Sequence, residues 1–196
     1  MTLFETIAKV QPTLPGWCVP EKAEALAAMV VALRPTITVE IGVYGGSSFI
    51  PMALAHKHVN WGLAIGIDPW SKAEAMRGET TENAEWARTV DYDAIYNAFM
   101  GNLTGLEHVT RIFRQTSDNA PVPNVIDLLH IDGAHTAQAI RDVTRYATKM
   151  RAGGICVMDD LDWSGNFVGR AAQILERELK FRRLYPLGTG AVYQRA

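Results

Sequence analysis

Apolar positions along this chain switch between two periods: short β-branched runs, and longer stretches in which they recur at helical spacing. The runs are ITVEI before a glycine turn, WGLAIGI ending at Asp68, VTRIFRQ from Val109 to Gln115, VIDLLHI ending at Asp132, and GICVM ending at Asp159 and Asp160. Each predicts a buried strand. Between them, residues 21–33 form an alanine-rich helical pattern that Pro35 stops, and PMALAHKH continues as a helix with Pro51 in its first turn. Residues 71–106 are helical, polar and aromatic, more than a minimal crossover needs. A helix after the fourth run is expected to reach about Met150, and another to span about 166–180. FRRLYPLGTGAVYQR reads as two strands around a Gly188–Gly190 turn. Strand–helix alternation predicts the α/β class: a doubly wound, mainly parallel seven-stranded sheet with a C-terminal antiparallel hairpin. The 196 residues fit one domain, with 1–35 as cap and first helix and 70–105 as an insertion over the substrate site.

Composition changes the picture little. A formal charge of −2 argues against a polyanion partner, and the basic cluster Lys180, Arg182 and Arg183 reads as a solvated helix end. Cys18 and Cys156 show no metal or redox spacing. No apolar run approaches a membrane span and no leader pattern is seen, so no membrane partner and a cytoplasmic address are expected. A homodimer is plausible on the exposed cap and hairpin.

The chemistry-bearing residues fall at strand ends, where ligands gather in such sheets. The turn Glu40-Ile-Gly42-Val-Tyr-Gly45-Gly46-Ser47 lies between strand and helix, so its free N–H groups can face a carboxylate or phosphate. Asp68, 22 residues past Gly46, is placed for ribose hydroxyls. The glycines read G-x-x-G-G, not G-x-G-x-x-G, and no G-K-[ST] follows, which speaks against a dinucleotide and excludes a P-loop. An acid two residues before the first glycine suits a cofactor carrying an ammonium group, which points to S-adenosylmethionine. Asp132, Asp159 and Asp160, on neighbouring strand ends, can converge on a hard cation, with His135 beside them as a base. Without cysteine ligands, magnesium or manganese is favoured over zinc.

With these pieces in place the chain resembles the class I S-adenosylmethionine-dependent methyltransferases, particularly the small-molecule O-methyltransferases of the macrocin type. VEIGVYGGSS, IGIDPW, DLLHIDGAH followed by RDV, and GGICVMDD carry the resemblance over roughly residues 37–160. It implies that Asp132, Asp159 and Asp160 hold magnesium and that His135 is the base. It also implies that Glu40, Gly42 and Asp68 contact the cofactor, with Ser117 near the adenine. The substrate would be a small-molecule hydroxyl, such as a sugar diol or a catechol. A metal lowers the pKa of a bound hydroxyl, and an imidazole of ordinary pKa about 6.5 can take the proton.

Plainer readings stand beside these. Asp159 and Asp160 suit a turn, His135 an early helix position facing solvent, and Asp162 could replace either neighbour as ligand. His130 reads as a satisfied core histidine; Trp163 and the aromatics of 70–99 suit core or pocket equally. A metal-independent methyltransferase, a non-catalytic cofactor-binding module and a nicotinamide-dependent oxidoreductase are the rival functions.

Overall fold

The computed structural model describes residues 1–196, apart from the side chain of Thr81. Seven strands form one sheet: β1 (Ile37–Ile41), β2 (Leu63–Ile67), β3 (Thr110–Phe113), β4 (Ile126–Ile131), β5 (Met150–Met158), β6 (Phe181–Leu187) and β7 (Gly190–Arg195). Their order is β3-β2-β1-β4-β5-β7-β6. The first five are parallel, and β7 runs antiparallel to both β5 and β6. This is the predicted doubly wound sheet with its terminal hairpin.

Period two decides which way each strand residue faces. Val39 and Ile41 of β1, Leu129 and Ile131 of β4, and Cys156 and Met158 of β5 join one core. That core is closed by α7 (Ala137–Tyr146) and α8 (Phe167–Arg177) through Val143, Ala171 and Leu175. On the opposite face, Leu128 and Val157 pack under α1 (Leu3–Val10), α2 (Pro20–Leu33) and α3 (Phe49–Val59). The aromatic segment expected to be helical forms α4 (Lys72–Ala75), α5 (Thr81–Thr89) and α6 (Tyr92–Asn102). From it, Trp70 and Phe99 are buried against Phe49, whereas Trp86 is exposed.

Boundaries shift where local chemistry intervenes. The helix expected to reach Met150 ends at Tyr146, and after one turn Met150 already belongs to β5. Pairing with β4 then jumps from Ile126↔Met150 to Leu128↔Ile155, a bulge that Gly153 permits at φ 76°. Asp127 pins this irregular start: it accepts hydrogen bonds from the Thr36 and Ile37 N–H groups, 2.9 Å each, and pairs with Arg151. At the other end of the sheet, Asp132 N–H donates to Ile41 and Asp159 N–H to Ile131. The carboxyl ends of β1, β4 and β5 are thereby held side by side.

Candidate active site

The glycine turn follows β1. Gly42 has φ 88°, and a Cβ there would land on the Asp132 carbonyl, so this glycine lets the turn lie against the end of β4. Gly46, at φ 87°, sits under the Phe99 ring. Ser47 is buried beneath Gly16, and Gly45 lies against Pro15, so the N-terminal segment covers the turn. Trp17, Tyr44 and Trp86 gather above it, with ring centroids 5.0–6.1 Å apart.

Asp68 reaches back to the same turn. One carboxylate oxygen accepts from the Val43 and Tyr44 N–H groups (3.0 and 2.9 Å), the other from Trp70 N–H (2.7 Å). Burial raises its pKa and these amides oppose the rise. An ionised carboxylate has about four acceptor directions, so acceptor capacity remains. Ser117 is buried and already engaged: its hydroxyl donates to Asp142 (2.5 Å), and its carbonyl accepts from Tyr146 (2.8 Å).

Alternation on β1 and β4 puts a polar layer on the α2–α3 face, since Glu40 and His130 are register partners. Both are fully buried. Ser48 donates to Glu40, whose carboxyl is pushed up to about 8 chiefly by burial. Its other oxygen and both His130 ring nitrogens lack hydrogen-bond partners among the described residues. His130 Nδ1 lies 3.3 Å from Glu40 without the alignment of a hydrogen bond. Burial, and then Lys22, push the imidazole down to about 3. His130 is thus a core histidine, as the sequence suggests, but an unsatisfied one.

The strand-end acids divide into two groups. Asp132 and Asp159 both bind Lys22: Nζ lies 3.4 Å from Asp132 and is in direct contact with Asp159. The lysine side chain is 5% exposed. Asp160, at φ 52°, turns instead to His135, accepting at 2.8 Å from Nε2. That bond holds the Asp160 carboxyl below its ordinary value, with burial opposing. The His135 ring stacks on Trp163 at 3.8 Å and 12°, so the imidazole is wedged between an acid and an indole rather than free in solvent. Its backbone N–H donates to Glu79 (3.3 Å), linking the site to the loop before α5. Thr189 donates to Asp159 (2.9 Å) and Asp160 (3.3 Å), and Asp162 is exposed. The hollow lined by Asp132, His135, Asp159 and Asp160 measures only ≈ 10 Å³, room for about one water.

The sequence therefore places Asp132, Asp159 and Asp160 at one edge but does not reveal Lys22. The available signal was its position: Lys22, Leu26 and Val30 stand at i, i+4 and i+8 on α2, so a lysine occupies the buried stripe. His130, Asp132 and Asp159 can each bring one donor atom to within 4.8 Å of the others. As placed, however, the residues do not fit a divalent ion, because Nζ stands against both carboxylates and Asp160 is committed to His135.

Residues 39–161 match the family model described as a methyltransferase domain, and the chain belongs to that family. The fold is similar to that of TomG, an O-methyltransferase from Streptomyces achromogenes involved in tomaymycin synthesis and solved in complex with SAM. Identity there is 15% and the TM-score 0.63, covering 100% of this chain and 90% of that one. The O-methyltransferase NovP gives 17% and 0.67, covering 90% and 78%. An O-methyltransferase from Bacillus cereus in complex with SAH gives 15% and 0.58, covering 99% and 90%. A comparison with curated proteins gives no match.

Proposed function

We propose that this chain transfers a methyl group from S-adenosylmethionine to a hydroxyl of a small molecule, with His135 as the base. The observation that carries the proposal is the ordered His135–Asp160 pair at the strand ends beside the glycine turn, in a chain of the methyltransferase family. The turn itself supports the cofactor. Asp68, with three of about four acceptor directions taken, keeps one for a ribose hydroxyl, and the unpartnered oxygen of Glu40 suits an arriving ammonium. Ser117 would lie on the adenine side. When bound, the cofactor supplies a sulfonium methyl that needs only in-line placement; orientation of this kind is worth up to about 7–11 kcal/mol.

The protein's own part is the proton. Asp160 is held ionised, so Nε2 of His135 carries the hydrogen between them and Nδ1 is left free to accept. The acceptor hydroxyl gives its proton to Nδ1 as its oxygen forms the new bond to the methyl carbon. The bound cofactor would supply the methyl and keep the carbon–sulfur bonding pair on sulfur, so that its remainder is a neutral thioether. A second reading adds a divalent ion, magnesium by donor type. It is favoured by the approach of His130, Asp132 and Asp159 to within 4.8 Å and by the unpartnered imidazole, and it requires Lys22 to withdraw.

Transfer of radiolabelled methyl to a panel of sugar diols and catechols tests the reaction. Wild type labels at least one acceptor, and His135→Ala loses roughly 10²- to 10⁴-fold in turnover with S-adenosylhomocysteine affinity kept. A variant that merely raises KM removes His135 from the role of base.

A further inference from the structure

We infer that Lys22 is the resident cation of the carboxyl edge, and that methyl transfer by this chain needs no divalent metal. The inference rests on the methyltransferase reading for its meaning, but not for its geometry.

Two carboxylates that both lie within reach of one Nζ need a positive charge between them; otherwise they must share a proton. Either a metal ion or an ammonium group meets that need, and here the ammonium comes from the chain itself. Its placement is built in at three levels. Pro20 starts α2 with Val19 as N-cap, which puts residue 22 in the first turn. Ala23, Leu26, Ala27 and Val30, all fully buried, fix the helix on the sheet face. Lys22 is itself buried, and its Nζ meets Asp132 and Asp159. Asp159 is further fixed by Thr189 (2.9 Å).

Withdrawing Lys22 would take its ammonium group off two carboxylates while it stays inside the buried helix–sheet interface, or require α2 to lift off the core. Either costs far more than leaving it paired. A divalent ion must displace this group before it can bind. Asp132 and Asp159 are accordingly positioning residues for Lys22. Asp160, the third expected ligand, is a positioning residue for His135.

The test is a manganese titration followed by electron paramagnetic resonance, run on the full-length protein in parallel with S-adenosylhomocysteine calorimetry. Wild type is expected to leave Mn²⁺ free in solution. Lys22→Met, which vacates the space between the two acids, is expected to gain one bound Mn²⁺ and to lose it again when Asp132→Asn is added. Stoichiometric Mn²⁺ binding by wild type would overturn the inference, and so would a folded Lys22→Met protein that gains no binding. Should Lys22→Met not fold, the wild-type titration still decides, with chelator treatment of wild type as the second readout. Methyl transfer unchanged by chelator supports the inference, and transfer abolished by chelator and restored by Mg²⁺ refutes it. The calorimetry arm separates the two ideas: absence of S-adenosylhomocysteine binding would remove the cofactor reading while the manganese result stood on its own.

Discussion

At the residue scale, the site depends on which acid serves which base. Asp160 serves His135 and not Lys22, because its left-handed backbone (φ 52°) swings it out of line with Asp159. Asp160→Asn can keep the contact but lets the amide donate, which favours the opposite imidazole tautomer. Turnover in the labelled-methyl assay should fall as it does for His135→Ala, with S-adenosylhomocysteine affinity kept; unchanged turnover would dissociate the pair from catalysis. A second titratable group gives a pH signature. Burial raises Asp142 from 3.8 to about 6, opposed by hydrogen bonds from Ser117 and Gln138. The native state thus holds the Asp142 proton more tightly than the unfolded chain. Its contribution to stability is fully present below 3.8 and is lost as pH rises through about 6. The Tm of Asp142→Asn relative to wild type should climb across that window and level off above it; a constant difference would exclude the effect. The strand-end acids and His135 were legible because polar residues closing apolar runs stand out against the period. Lys22 was not, because a lysine in an alanine-rich helix looks like a solvated position until the neighbouring stripe is known to be the buried one.

At the scale of elements, the turn after β1 and the start of β4 carry the geometry. A Gly42→Ala methyl would strike the Asp132 carbonyl, with the backbone at φ 88°. Overpacking costs about 1–3 kcal/mol, so denaturant unfolding should show a loss of at least that size together with weakened S-adenosylhomocysteine binding. Tolerance of the substitution would mean that β1 and β4 are not held together at the turn. Asp127→Ala strips the Thr36 and Ile37 amides of their acceptor and Arg151 of its partner. Hydrogen bonds to a charged group contribute about 1.5–3 kcal/mol, and the variant should unfold at correspondingly lower denaturant without change in S-adenosylhomocysteine affinity. Strand identity was readable from the β-branched runs, and the adjacency of β4 and β5 was expected; the full order comes from the structure. The bulge in β5 was not, since nothing in MRAGG separates the end of a helix from the start of a strand. The Gly153 turn and the Asp127–Arg151 pair settle it only once β4 lies alongside.

Over the whole molecule, a parallel sheet with helices on both faces leaves its carboxyl edge as the place where β1, β2, β4 and β5 present polar termini together. The N-terminal segment closes over that edge at Gly45 and Ser47, and the loop before α5 touches it through Glu79 and His135. The rings of Trp17, Tyr44 and Trp86 pack together and so join the N-terminal segment, the glycine turn and α5. The cofactor half of the account is tested most directly by titrating S-adenosylhomocysteine into wild type and Asp68→Ala in a calorimeter. One saturable site in wild type, markedly weakened in the variant, is the predicted result. A wild-type protein that is folded yet gives no heat with S-adenosylhomocysteine would contradict the account at its centre.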